Sequence, residues 1–222
     1  MPAHKRGAKT SPSSKFEKQA ADLGALRIAG IDEAGRGPLA GPVVAAAVVL
    51  RDPDCLPHLN DSKLLPAEAR LKLFEEIQEN TFAVGVGIIP SETIDRINIL
   101  QATRLAMSQA VMEINPLPDY LLIDGPISLD LPIRQRAIIK GDRLSFSVAA
   151  AGILAKVTRD RIMMELHEQF PQYGFAVHKG YATRAHKEAI ARHGPCPVHR
   201  MCFRGVKESD LPLFGGAPDG DE

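Results

Sequence analysis

Residues 27–49 read RIAGIDEAGRGPLAGPVVAAAVV, and the reading of this stretch decides the fold. An apolar run climbs to two adjacent carboxylates, Asp32 and Glu33. A turn containing Gly35, Arg36, Gly37 and Pro38 follows, then Gly41-Pro42 and a second apolar run. Short apolar runs bounded by glycine and proline predict two buried strands, 27–32 and 43–50, paired antiparallel across the turn. Glycine lets a backbone approach a ligand that a side chain would hold off. The stretch thus sets paired acids at a strand end beside a permissive, cationic loop, a site in need of ligands from elsewhere. Neighbouring strand residues point to opposite faces, so Glu33 joins Asp32 only if the strand ends or bulges there.

On the N-terminal side, residues 1–24 are expected to form a basic, largely disordered arm with a short helix over 15–22. On the C-terminal side, apolar Leu71, Phe74 and Ile77 after a proline predict a helix over 66–79, followed by a strand over 82–89. Ser91 is the expected N-cap of a helix reaching about residue 114. Residues 120–124 are continuously apolar and end in Asp124, the pattern of a buried parallel strand. A strand over 135–140, a helix over 144–169, a loop over 171–182 and a helix over 183–193 complete a domain spanning 25–207. Residues 208–222 are expected to be an acidic, flexible tail. Paired strands followed by strands alternating with helices give an α/β class, a central mixed sheet flanked by helices with a small helical C-terminal part.

A chain of 222 residues suits one domain. No run approaches the ~18 apolar residues of a membrane span. Cys55, Cys196 and Cys202 are too few for a disulfide framework, so a reducing cytoplasm is the expected compartment. The net charge of zero hides segregation. Residues 1–27 carry six Lys/Arg against two Asp/Glu, 28–133 seven against fifteen, 134–207 fourteen against five, and 208–222 five acids alone. The third segment is basic enough to face phosphates.

Hydrolysis of a phosphodiester at neutral pH calls for hard divalent ions held by clustered carboxylates on rigid elements. Asp32 and Asp124 both end apolar runs, and Asp142 follows a third strand. Asp160 is a rival to Asp142, but a helix interior beside Arg159 and Arg161 points to an ion pair. Gly35-Arg36-Gly37 lacks the Gly-Lys-Ser/Thr that would make it a P-loop. His193, Cys196, His199 and Cys202 recur every third residue, too tightly for paired zinc knuckles.

DEAGRGPLAGP (32–42) resembles the opening motif of bacterial ribonuclease HII, the type 2 ribonuclease H family. NDSK (60–63), LLIDG (121–125), IIKGD through AKVTRD (138–160) and YGFAVHKGY (173–181) are similar to later motifs of that family, in the same order. The resemblance implies a ribonuclease H fold, with Asp32, Glu33, Asp124 and Asp142 as catalytic carboxylates binding two Mg²⁺ or Mn²⁺ ions. It implies cleavage of the RNA strand of RNA–DNA hybrids, and cleavage 5′ of a single ribonucleotide in duplex DNA, leaving 3′-hydroxyl and 5′-phosphate ends. It implies that the backbone of Gly35, Arg36 and Gly37 grips the ribose 2′-hydroxyl and that Tyr181 stacks on the next deoxyribose. Asn60, Lys63, Lys156, Lys179 and Arg184, together with Arg159, are the candidate substrate and phosphate contacts. Where relatives usually read Ala-Ala-Ser, this chain has Ala150-Ala151-Gly152; helix propensity alone predicts that Gly152→Ser is tolerated and slightly stabilising or activating.

In the tail, Leu211, Leu213 and Phe214 resemble the short segments by which bacterial repair and replication proteins dock onto the sliding clamp. Folding back of the same side chains over the domain's own surface is the alternative.

Overall fold

The computed structural model describes residues 12–54, 56, 59 and 67–207, side chains at 67, 68 and 70 excepted. Asn60, Lys63, Leu211, Leu213 and Phe214 lie outside the described residues. Five strands, β1 (Ile28–Ala34), β2 (Val43–Leu50), β3 (Thr81–Ile89), β4 (Tyr120–Asp124) and β5 (Arg134–Ile138), form one mixed sheet in the order β3-β2-β1-β4-β5. β1 pairs antiparallel with β2 and parallel with β4, as their apolar runs foretold, and β5 runs parallel to β4. β2 is buried along all eight residues, which is why it reads as unbroken Val and Ala. β3 and β5 are the edge strands; on β5 Arg134 and Arg136 discourage pairing with another chain and lie over the rings of Tyr120 and Phe16.

Alternation along the strands divides the core between two faces. Ala29, Ile31, Val43, Ala45, Leu121 and Ile123 pack on α3 (Ser91–Met112). Ala46, Val48 and Leu50 pack on α2 (Ala67–Asn80) and α4 (Phe146–Gln169), whose Ala149, Ala150 and Ala151 are small enough for close approach. The helical C-terminal part comprises a 3₁₀ turn at Pro171–Tyr173, α5 (Phe175–His178) and α6 (Arg184–His193), packed around Met163, Tyr173, Phe175 and Ile190. No helix among the described residues is long and apolar enough to cross a membrane.

Several boundaries depart from the sequence reading. α3 is capped by Pro90, and Ser91 is already helical, its hydroxyl turned to the Pro197 carbonyl. α3 also breaks at Asn98 (φ 64°, ψ 166°), whose Oδ1 accepts from the amides of Leu100 and Gln101 and so caps the second half. β5 stops at Ile138 because Lys140 is left-handed (φ 60°) and turns the chain. The expected loop after α4 contains the 3₁₀ turn and α5.

Of the basic segment 1–24, residues from 12 onward are docked on the domain. The helix α1 (Lys15–Asp22) buries Glu17 and Ala20. Glu17 Oε1 accepts from Ser145 Oγ (2.6 Å), Ser147 N (2.9 Å) and Ser147 Oγ (2.7 Å) at the N-terminus of α4. A carboxylate there satisfies an orphan amide and meets the positive end of the helix dipole, so this segment is fixed by electrostatics as much as by burial.

Candidate active site

Asp124 ends β4, and Asp32 follows the last residue of β1 that pairs with β4; the parallel ladder runs to Ile31 opposite Ile123, so the register brings the two acids side by side. Glu33 joins them without the anticipated bulge: the β1–β2 register passes unbroken through Glu33 opposite Ala45. The β1–β4 pairing stops before Asp32, and there the Glu33 amide donates to Asp32 Oδ1 at 2.7 Å. One carboxylate oxygen from each of Asp32, Glu33 and Asp124 lies within 4.8 Å of the others. Asp142 sits in the 3₁₀ turn Gly141–Arg143 on the cleft wall, its amide donating to Asp124 Oδ1 at 3.4 Å, and is not part of that triple.

Glu33 carries the electrostatic signature of the site. Burial raises its pKa; the Arg36 guanidinium, 3.2 Å from Oε1, opposes the rise, and the charge of Asp124 adds to it. Its Oε2 is buried with no hydrogen-bonding group in reach. A buried carboxylate oxygen without a hydrogen-bond partner among the described residues, beside the carboxylates of Asp32 and Asp124, is what a divalent cation satisfies.

The carboxylates of Asp32, Glu33 and Asp142 line a cleft of about 350 Å³, walled by Gly35–Gly37 on one side and by α4 on the other. Tyr181, half-exposed, stands at its rim, its ring 4.0 Å from where a Cβ on Gly37 would lie. Lys156 also lines the cleft and pairs with Asp160; the acid is ion-paired as expected, but with the lysine one turn back and not with the flanking Arg159 or Arg161. Lys179 and Arg184 do not line it. The Lys179 ammonium turns back to the Ala176 carbonyl at 2.7 Å, and Arg184 pairs with Glu188 on the exposed face of α6. Arg159, read as a candidate phosphate contact, is 1% exposed and serves the framework. Its guanidinium donates to the carbonyls of Ala40, Pro42 and Lys179, each at 3.0 Å. Gly35 (φ 96°) crosses directly over it; a Cβ there would fall 2.1 Å from Arg159 Nε. Gly152 also has a tight neighbour, since a Cβ would lie 2.3 Å from Asp32 Oδ2. A side chain at 152 is accommodated only if the Asp32 carboxylate turns aside.

Beneath Tyr181 runs a chain of neutral imidazoles. His178 Nδ1 accepts from Gly180 N–H, and its Nε2 donates to the Tyr173 carbonyl. His186 Nδ1 donates to the Tyr181 carbonyl, leaving Nε2 to accept from His199 Nε2 at 3.0 Å. His199 Nδ1 in turn accepts from the Cys196 amide. Burial pushes the pKa of His186 and of His199 down to about 4. Of the four residues spaced by three from His193 to Cys202 only His199 is buried, and His193 and Cys202 are exposed; among the described residues the acidic triple is the one group of three or more such side chains able to share an ion.

The model of the family described as ribonuclease HII matches residues 29–206. The chain belongs to the ribonuclease HII family. A ribonuclease HII of Syntrophotalea carbinolica is 53% identical over 193 residues, covering 87% of this chain and 92% of that protein. One from Geobacter metallireducens is 56% identical over 197 residues, covering 89% and 92%. Among solved structures, ribonuclease H2 of Pyrococcus horikoshii superposes with a TM-score of 0.68 at 26% identity, over 82% of this chain and 95% of that one. The RNase HII of Archaeoglobus fulgidus, solved as a PCNA complex, superposes with a TM-score of 0.67 at 30% identity, over 80% and 95%. Membership makes the chain a metal-dependent ribonuclease H, a hydrolase acting on phosphodiester bonds of RNA in RNA–DNA hybrids.

Three groups that the geometry brings into prominence were not singled out in the sequence: Arg200, Glu17 and the Arg36–Glu33 pair. Arg36 stands three residues after Glu33 in plain view. Nothing local distinguishes Glu17 or Arg200 from surface charges.

Proposed function

We propose that this ribonuclease HII cuts on the 5′ side of single ribonucleotides embedded in duplex DNA, as well as within longer hybrids, leaving 3′-hydroxyl and 5′-phosphate ends. The observation that carries the reading is the apposition of Tyr181 and Gly37 across a cleft floored by three carboxylates. Asp32, Glu33 and Asp124 hold divalent ions, Mg²⁺ or Mn²⁺, and Asp142 completes the set from the 3₁₀ turn. Bound as a pair, such ions supply an activated water and steady the leaving oxygen. The residues of the chain do the rest. Arg36 opposes the burial-driven rise of the Glu33 pKa and steadies its carboxylate at Oε1. The backbone of Gly35–Gly37 meets the 2′-hydroxyl, the one group that distinguishes RNA from DNA. Tyr181 stacks on the following deoxyribose and so reads the RNA–DNA junction. Lys156, restrained by Asp160, meets a phosphate at the cleft wall.

Ribonucleotide removal fits a role in repair of newly made DNA in the cytoplasm. A contact with the sliding clamp through Leu211, Leu213 and Phe214 is in keeping with the PCNA complex solved for the Archaeoglobus protein. The test is incubation with Mn²⁺ and an end-labelled duplex holding one ribonucleotide, against an all-DNA duplex of the same sequence. Expected is a single cut 5′ of the ribonucleotide and an intact control. Cleavage of both duplexes, or of long hybrids only, overturns the proposal.

A further inference from the structure

The Gly35–Gly37 loop is gripped from behind by one side chain. Arg200 is fully buried. Its Nη2 donates to the Gly35 carbonyl at 2.6 Å, its Nη1 to those of Arg36 (3.0 Å) and Pro38 (2.8 Å), and its Nε to that of Gly41 (3.0 Å). Four carbonyls of one short loop converge on a single planar cation. Among the described residues no carboxylate pairs with it; peptide dipoles and the face of Phe203, 5.0 Å from Cζ, surround the charge. Burial lowers its pKa to about 9, so the guanidinium is charged at neutral pH.

A trans peptide is planar, with its C=O and the following N–H pointing in opposite directions. The peptide bonds of this loop are trans. Carbonyls of Gly35 and Arg36 drawn inward therefore turn the amides of Arg36 and Gly37 outward, toward the cleft that these residues line. The next carbonyl illustrates the rule. Pro38 O faces Arg200, and the Leu39 amide on the opposite side donates to Gly180 O at 2.8 Å. We propose that Arg200 is a specificity-determining positioning residue, which aims the amides of Arg36 and Gly37 at the ribose 2′-hydroxyl by holding the carbonyls behind them. This rests on the reading of Gly35–Gly37 as the ribose contact. Arg200 meets no substrate; it acts through two peptide planes. A charge behind each carbonyl also polarises the amide at the front, making it a stronger donor. Lysine has the charge but not the planar fork that reaches four acceptors at once.

The experiment compares full-length wild type with R200K and R200Q in equilibrium binding, with calcium replacing the catalytic ion. The probes are two duplexes of one sequence, one with a single ribonucleotide and one all DNA. The quantity read is the ratio of the two Kd values. A partly unfolded preparation weakens both affinities equally, so a purely structural role leaves the ratio unmoved. Expected is a wild-type preference for the ribonucleotide duplex that falls about tenfold in both variants, the worth of one lost net hydrogen bond, with all-DNA binding changed less than about twofold. R200Q, which keeps a two-donor amide, supplies the ratio if the lysine variant melts below the assay temperature. A wild-type ratio in the variants overturns the proposal and leaves the ribose reading of the loop standing. Equal binding of the two duplexes by wild type overturns that reading, and the role of Arg200 with it.

Discussion

Replacing one of the clustered carboxylates tests the site through stability as well as catalysis. Asp124→Asn keeps the shape and removes one charge. The ligand oxygens of Asp32, Glu33 and Asp124 lie within 4.8 Å of one another, and unit charges at that separation repel by about 3.5 kcal/mol at an effective dielectric near 20. Water in the cleft and the guanidinium of Arg36 on Glu33 screen this to about 1–2 kcal/mol. Each kcal/mol moves the Tm of a domain of this size by roughly 2–4 °C, so the ion-free variant should melt roughly 2–8 °C above wild type. Wild type gains about 2.7 kcal/mol from an ion at 100 times its Kd, or roughly 5–11 °C, and the variant should lose that gain along with cleavage. Thermal melts in EDTA and in Mn²⁺ read both effects. Burial of Glu33, with the charge of Asp124 adding to it, sets a pH dependence. Because the Glu33 pKa is raised in the folded state, its stabilising contribution is full below the ordinary value of 4.5 and is lost as pH rises through the raised one. Ion-free wild type should lose stability over that window, and the Asp124→Asn variant should lose less. A variant melting at or below wild type in EDTA, or keeping the Mn²⁺ shift, would refute the shared-ion reasoning.

Tyr181→Ala should lose roughly 5- to 150-fold in kcat/KM on a single embedded ribonucleotide, the worth of one stacking contact, whereas Arg184→Ala on the far face should stay within about twofold; equal losses would remove Tyr181 from its role. Glu17→Ala strips three charge-assisted hydrogen bonds from the start of α4 and should cost about 3 kcal/mol, lowering Tm by roughly 6–12 °C in a calorimetric scan. Lys18→Ala, breaking only an exposed pair with Asp54, is the control and should shift Tm by less than roughly 4 °C. Gly152→Ser should raise the Mn²⁺ concentration needed for half-maximal activity, because the new Cβ crowds Asp32 Oδ2; an unchanged metal titration would show that the Asp32 carboxylate turns without cost.

The legibility of the chain followed its apolar content. β1, β2 and β4 announce themselves because buried strands leave little choice but Val, Ile, Leu and Ala, and each strand end bearing an acid stands out against such a run. The convergence of Asp32 with Asp124 follows from parallel pairing. That of Glu33 was beyond period-two reasoning, since it depends on where the neighbouring strand stops. The break at Asn98 had a signal in the amide side chain followed by Gln101, the spacing of a helix cap, but an unbroken helical pattern on either side hid it. Glu17, Arg159 and Arg200 were invisible for a different reason. A charged residue reads as solvated wherever its partners are backbone carbonyls or distant hydroxyls, because those partners leave no trace in local sequence.

The three carbonyls gathered by Arg159 have a bearing on how such an enzyme can change. Ala40 and Pro42 belong to the stretch beside the glycine loop, and Lys179 to the segment carrying Tyr181, so one guanidinium is a foundation common to both walls of the cleft. Substrate range in such an arrangement cannot drift one wall at a time. A mutation that loosens the glycine loop to admit a bulkier sugar shifts the tyrosine as well, and selection must find both adjustments together.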